Sequence, residues 1–115
     1  MIRLPFPHKA LWPNGRAHWA VKSREVKKHR QWAHDATLAA IGTVLPFRWD
    51  GHPVRLKYIV TPKTAHAIDR DNCIAAMKAY QDGIADALGV DDSYFATPEI
   101  EFAAPEKPGR VEVVL

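Results

Sequence analysis

Residues 54–88 read VRLKYIVTPKTAHAIDRDNCIAAMKAYQDGIADAL, and this stretch decides the fold class. Its first seven residues place Val, Leu, Tyr and Val at alternate positions, which is the period of a half-buried β-strand. A polar loop follows Pro62, and from Asn72 to about Leu88 apolar residues recur at helical spacing. Gly89 then provides a stop signal. The stretch therefore predicts a strand followed by a helix.

Upstream of this stretch the sequence predicts a strand, a long loop and a helix. Apolar residues alternate over 2–6, which indicates a short strand. Residues 7–22 show turn chemistry and no clear periodicity, which favours a long functional loop. Ser23 can cap a helix that runs to about Leu45. The predicted apolar face of this helix comprises Val26, Ala33, Ala36, Ala40, Ile41 and Val44.

Downstream of the stretch two more strands are predicted, over 99–103 and 110–115. The connection 105–109 contains Pro and Gly, which suits a hairpin. The element order is then β-α-β-α-β-β. We expect one α+β domain over 1–115, a two-layer α/β arrangement with a small mixed sheet and two helices packed on it. A chain of 115 residues is long enough for one core and too short for two.

The cysteine content and hydropathy indicate the environment of the chain. Cys73 is the single cysteine, so the chain forms no internal disulfide. The sequence contains no apolar run typical of a signal peptide or a membrane span. We expect a cytoplasmic protein without membrane contact.

Charge is divided unevenly along the chain. Residues 1–57 contain 11 Lys or Arg and 3 Asp or Glu, a net charge of +8, whereas residues 58–115 contain 5 and 10, a net charge of −5. This division is typical of proteins that bind nucleic acid, although helix surfaces that happen to be basic would give the same result. The residues predicted to contact DNA are polar or basic and belong to the loop and the first helix: Asn14, Arg16, His18, Lys22, Arg24, Lys27 and Lys28.

Carboxylates cluster around the second predicted helix. Asp69 and Asp71 stand two residues apart at its start, and Asp91 and Asp92 follow its end. Like-charged carboxylates repel one another unless a cation lies between them, so the pattern indicates a divalent-metal site. Residues two positions apart share a side only in an extended segment, which places the first pair ahead of the helix. The second pair joins the first only if the chain turns back after Gly89.

Each carboxylate also has a purely structural interpretation. Asp71 is a residue type that often caps a helix, and Asp91-Asp92-Ser93 can cap a short helix over Tyr94 and Phe95. Six histidines form no recognisable zinc motif. We interpret Cys73 as a small packed hydrophobic residue.

The motif around the second helix carries a family resemblance. Asp69-Arg-Asp71-Asn72 is followed by Lys78-Ala-Tyr-Gln-Asp82-Gly-Ile-Ala-Asp-Ala-Leu-Gly-Val-Asp91-Asp92. This pattern resembles the core of the RusA-type endodeoxyribonucleases, the Holliday junction resolvases common in phages and prophages. The resemblance extends to Leu4-Pro5-Phe6-Pro7, to Asn14 and to the element order, and so covers most of the chain.

The resemblance implies a homodimer that hydrolyses phosphodiester bonds at four-way DNA junctions in recombination and repair, with Mg²⁺ or its substitute Mn²⁺. It matches Asp69, Asp71 and Asp92 to the catalytic, metal-binding aspartates, and Asp91 is a further metal ligand or a partner of one. Lys78 is the candidate for the catalytic lysine. The family pattern places that lysine four residues after the second Asp, where this chain has Ala75. No small-molecule cofactor is expected.

Two other functions remain open. A non-catalytic nucleic-acid-binding module of phage origin would share the basic loop and helix. It gives no reason for acidic residues beside a phosphate site, where they repel the substrate unless metal is present. A nuclease with broader specificity for branched DNA would share the acidic motif as well.

Overall fold

The computed structural model describes residues 2–41 and 49–115. Within them the chain forms four strands and three α-helices, in the order β1 Ile2–Pro5, α1 Trp19–Ile41, β2 Lys57–Thr61, α2 Arg70–Ala76, α3 Lys78–Leu88, β3 Glu99–Phe102 and β4 Arg110–Val114. Two 3-10 helices, Lys9–Leu11 and Asp92–Tyr94, lie in the connections. The predicted α+β class with a small mixed sheet is confirmed.

The sheet has the strand order β1-β4-β2-β3. β2 pairs in parallel with β3, where Tyr58 lies opposite Ile100, and antiparallel with β4, where Tyr58 lies opposite Val113. β4 also pairs antiparallel with β1. Because α2 and α3 connect β2 to β3, this part of the fold is a β-α-β crossover unit.

The predicted hairpin between β3 and β4 is wrong, because β2 lies between the two strands. Their connection passes the end of β2 and bonds to it: the Ala103 N–H donates to the Val60 carbonyl, and the Glu106 N–H donates to the Pro62 carbonyl, both at 2.9 Å. Tyr58 and Val60 are fully buried, so a position between two other strands stabilises β2. Pro and Gly mark a reversal of the chain but do not reveal whether a strand is skipped.

Both long helices pack on one face of the sheet in a single core. Tyr80 and Ile84 of α3 are fully buried within it, and the Tyr80 hydroxyl donates to the Pro5 carbonyl at 2.6 Å. α1 and α3 approach closely at Gly83, where a Cβ atom would lie 2.1 Å from the Arg30 carbonyl oxygen. The absence of a side chain at this position permits the contact.

α1 begins at Trp19, four residues before the predicted start, so Ser23 is not its cap. His18 ends the loop instead, and its Nδ1 accepts from the Ala20 N–H at 3.1 Å. A neutral imidazole nitrogen can satisfy a free helical N–H in the way that a hydroxyl does. The predicted end near Leu45 lies outside the described residues.

The buried face of α1 is partly polar, which differs from the prediction. Of the predicted apolar face, Ala33 is buried and Ala40 is exposed. The prediction was wrong because His29 fills the helix position that faces Tyr80, with ring centroids 5.2 Å apart. The buried positions follow a four-residue spacing and are Glu25, His29, Ala33 and Thr37. Three members of the predicted face, Val26, Ala36 and Ile41, are half-buried, and Val44 lies outside the described residues.

The single helix predicted over 72–88 is two helices, which meet at Met77. Its N–H bonds to the carbonyls of both Cys73 and Ile74 at 3.1 Å, and this shared bond lies at the boundary between the two helices. Gly89 ends α3 with a left-handed backbone (φ 70°), which confirms its prediction as the stop. No helix in the described part of the chain is both long and apolar enough to cross a bilayer.

Candidate active site

Asp69 caps α2. Its backbone is extended (φ −67°, ψ 129°), and its Oδ1 accepts from the Asn72 N–H at 3.0 Å. A carboxylate here also interacts favourably with the helix dipole. The prediction that Asp69 precedes the helix is confirmed, but Asp71 lies inside the first turn. The alternative that Asp71 is the cap is wrong as well, because Asp69 has taken that role.

A cleft of about 380 Å³ opens beside Asp69, and we call it the Asp69 cleft. It lies between the loop after β2 and the segment that follows β1. Its residues combine two aromatic rings with polar side chains, and they include Phe6, Trp12, Asn14, His66, Asp69 and Asn72. The predicted DNA-contacting residue Asn14 and the predicted catalytic Asp69 therefore line the same cleft.

Lys78, the first residue of α3, forms the centre of a charged cluster. Its Nζ lies 2.8 Å from a carboxylate oxygen of Asp82 and also contacts the carboxylate of Asp92. The chain turns back after Gly89, and this brings Asp92 to Lys78 but not into a metal-binding group with Asp69 and Asp71. Two of the predicted catalytic residues, Lys78 and Asp92, are thus brought into contact although they are 14 residues apart.

Electrostatics in this cluster favour a charged lysine. Asp82 and then Asp92, by hydrogen bonding, raise the pKa of Lys78 above its ordinary value. Its side chain remains 54% exposed, so the ammonium group is accessible to a ligand. Asp82 was not among the predicted site residues, although its spacing of four from Lys78 on a helix is a recognised signal for an ion pair.

Asp91 serves as the cap of the 3-10 helix Asp92–Tyr94. Its Oδ1 accepts from the Ser93 N–H at 2.8 Å, and this bond holds the pKa of Asp91 below its usual value. The structural interpretation of this carboxylate is confirmed.

A second cleft, of about 280 Å³, opens beside Lys78, and we call it the Lys78 cleft. Lys22 of α1 lines it together with Lys78 and Asp82. The segment 11–15 separates the two clefts, because Trp12 and Asn14 line the Asp69 cleft while Leu11 and Pro13 line the Lys78 cleft. One loop therefore borders both groups of predicted catalytic residues.

The remaining predicted DNA contacts are spread over the loop and α1. Arg16 and His18 line a third hollow, at the start of α1. Arg24 is exposed, and Lys27 lies further along the helix beside the ion pair of Arg30 and Asp86. Lys28 is 3.1 Å from Glu25 and lies over the Trp32 ring, so it is already partnered within α1.

A divalent metal ion would need carboxylates in one place. Within residues 2–41 and 49–115, no group of three or more His, Cys, Asp or Glu side chains is arranged to hold a metal ion. Mg²⁺ commonly keeps several waters and is bound by one or two carboxylates together with substrate phosphates. Asp69 and Asp71 are exposed carboxylates, and the cap uses one oxygen of Asp69. Asp69 and Asp71 would be the one or two carboxylates of such a site, and the structure does not bring Asp91 and Asp92 into one metal-binding group with them.

Comparison with known proteins adds one relative. No protein-family model matches this chain. The chain is similar to a protein of Xylella fastidiosa (strain Temecula1) described as uncharacterized, with 41% identity over 101 residues. The match covers 87% of this chain and 65% of that protein, so the chain spans less than two thirds of the relative's length.

Proposed function

We propose that this protein is a divalent-metal-dependent endodeoxyribonuclease of the RusA type, which hydrolyses phosphodiester bonds at four-way DNA junctions during recombination and repair in the cytoplasm. The observation that supports this proposal best is the contact of Lys78 with Asp92, beside a cleft that Lys22 also lines. The lysine to which we assign phosphate binding is thereby close to a carboxylate of the predicted motif.

Hydrolysis of a phosphodiester requires an attacking water and neutralisation of the negative charge that develops on the phosphate. Asp69 and Asp71 would hold the Mg²⁺ or Mn²⁺ ion, which when bound supplies charge neutralisation and an activated water, while Asp92 is paired with Lys78 in this structure. No protein nucleophile is needed, and buried Cys73, whose pKa burial raises to about 11, is unsuited to that role.

Lys78 would contribute a hydrogen bond to a phosphate oxygen. Its raised pKa keeps the ammonium group protonated, and its position at the surface gives DNA access to it. An arriving phosphate would compete with Asp92 for this group, while Asp82, one helical turn along α3, would still hold it.

DNA binding would use the basic surface around the segment 11–15 and the start of α1. Asn14 and Lys22 border the two clefts, and the exposed Arg16, Arg24 and Lys27 extend the surface along the helix. A four-way junction has two-fold symmetry, so paired cuts require two active sites, and a two-fold homodimer would supply them.

The test is cleavage of a mobile four-way DNA junction in Mg²⁺ or Mn²⁺. We expect the wild-type protein to produce paired, symmetric nicks, and Asp71→Asn to reduce the cleavage rate by about 100-fold or more, because a metal-binding oxygen is lost. Junction binding, measured by fluorescence anisotropy, should persist. Asp35→Asn changes an exposed carboxylate of α1 and serves as the matched control.

Other outcomes would decide between the alternatives. If junctions are bound but remain intact with either metal, the protein is a nucleic-acid-binding module and not a nuclease. Equal cleavage of flaps and linear duplex would retain the nuclease with a broader specificity. Junctions nicked in only one of the two symmetry-related strands would argue against the dimer.

A further inference from the structure

The Asp69 cleft contains aromatic and amide side chains that phosphate hydrolysis does not require. Its volume of about 380 Å³ lies at the lower end of the range of small-molecule sites, which is about 300–1,000 Å³. A double helix cannot enter a space of this size, whereas a single base can.

One wall of the cleft is aromatic. The rings of Phe6 and Trp12 stack with centroids 5.6 Å apart and an interplanar angle of 21°. The Trp12 indole N–H donates to the Pro7 carbonyl at 3.3 Å, which fixes the orientation of the ring. Lys63 Nζ lies 6.0 Å from the Phe6 ring, so a positive charge is present at the same wall. A preformed aromatic surface beside a cation suits stacking of a base and contact with its phosphate.

The polar groups of the cleft suit the edge of a base. The side-chain amides of Asn14 and Asn72 each carry donors and an acceptor, as base edges do. Asp69 uses the backbone N–H of Asn72 for the helix cap, so the cap does not occupy the amide of that side chain. His66 lines the cleft as well. Proteins that bind unstacked bases combine stacking with hydrogen bonds to the base edge in this way.

We propose that the Asp69 cleft receives one unstacked nucleobase of branched DNA, from the nucleotide next to the phosphate that is cut. The inference rests on the proposed function, because a junction centre offers bases whose stacking is easily interrupted. Asp69 lines the cleft and belongs to the predicted catalytic motif, so a base bound there lies close to the site of hydrolysis. Asn14 and Asn72 would then determine which base is preferred at the cut.

The first test uses mononucleotides and no metal. Protein labelled with ¹⁵N is titrated with dAMP, dCMP, dGMP and TMP in EDTA. We expect saturable shifts of the Trp12 indole and of the Asn14 and Asn72 side-chain amides, with the indoles of Trp19 and Trp49 as internal controls. Shifts at those control indoles without any at Trp12 would overturn the proposal.

The second test uses junctions that carry an abasic site at each position near the branch point in turn. For protein with Asp71→Asn, we expect one position where base removal weakens binding about tenfold, which corresponds to the loss of one stacked base. Adding Asn72→Ala should lower this ratio, because hydrogen bonds to the base edge are lost while stacking remains, whereas adding Gln81→Ala, which changes an amide on α3 outside the cleft, should preserve it.

The results separate this inference from the proposed function. A wild-type protein that cleaves junctions with no position sensitive to base removal would refute the base-binding cleft alone. A protein that discriminates bases through Asn72 but cleaves no junction would refute the nuclease and support the cleft.

Discussion

At the scale of single residues, the Lys78 cluster separates a role in chemistry from a role in stability. We predict that Lys78→Gln lowers the rate of junction cleavage by about 100-fold, since a hydrogen bond to the reacting phosphate is lost. The same change should alter the free energy of unfolding by less than about 1 kcal/mol, because partly exposed ion pairs contribute little. Single-turnover kinetics and urea unfolding measure the two quantities.

The control for this prediction is Lys107→Gln. Lys107 is exposed in the connection between β3 and β4. The cleavage rate and the free energy of unfolding of this variant should match those of the wild type. A Lys78→Gln variant that cleaves normally would show that the lysine has no part in hydrolysis.

His29 gives a second prediction at this scale, on the pH dependence of stability. Its side chain is buried, and Nε2 accepts from the His8 N–H at 3.1 Å, which requires a neutral ring. Burial is the main cause that lowers the pKa of His29 below its ordinary value of 6.5. The unfolded chain therefore takes up the proton at a higher pH than the folded protein, so stability should fall as the pH decreases below about 6.5.

Urea unfolding at pH 7.5 and 5.5 tests this prediction. The loss of stability between the two values should be larger for the wild type than for His29→Gln, which has no proton to take up. Equal losses in both proteins would mean that His29 does not contribute to the pH dependence in this window.

At the scale of the elements, the contact of α1 with α3 depends on Gly83. Alanine in an exposed helix position usually stabilises the helix by about 1 kcal/mol relative to glycine. At position 83 a Cβ atom would also meet the Ala33 Cβ at 2.9 Å, besides the Arg30 carbonyl. We predict that Gly83→Ala destabilises the protein by about 1–3 kcal/mol, measured by urea unfolding, because the helices must move apart.

Gly89→Ala is the comparison for that prediction. A Cβ atom there meets nothing within 4 Å, so its cost of about 1 kcal/mol should come from the left-handed backbone alone. A stabilised Gly83→Ala variant would contradict the close packing of the two helices.

At the scale of the whole molecule, the division of charge predicts how DNA binding responds to salt. The basic N-terminal half contributes the loop, which borders both clefts, and α1, which borders the Lys78 cleft. Each lysine or arginine that neutralises one phosphate adds about one unit to the slope of log K against log salt concentration. We predict that Lys22→Gln and Arg24→Gln each reduce this slope by about one, in anisotropy titrations over a range of KCl concentrations.

Lys107→Gln, in the acidic half, should leave the slope unchanged. Equal effects of the three variants would mean that DNA binding does not favour the basic half, and the interpretation of the charge division would then be wrong.

Local patterns were sufficient to predict the α+β class, the approximate positions of the strands and the stop at Gly89. These features depend on the period of apolar residues and on backbone preferences, which neighbours in the chain largely decide. The carboxylates of the candidate site, Asp69, Asp71, Asp91 and Asp92, also stand out in the sequence, whereas the selection of Asp92 as a catalytic residue and the role of Lys78 are implied by the resemblance to the RusA type.

Contacts between distant segments decided the remaining features of the fold and of the candidate site. The place of β2 between β3 and β4, the buried polar face of α1 and the meeting of Lys78 with Asp92 each join residues that no local pattern relates. The Asp69 cleft needs the segment after β1 to lie against the loop after β2, about 50 residues away in sequence. Burial in a shared core brings such segments together, and only the folded chain has that core.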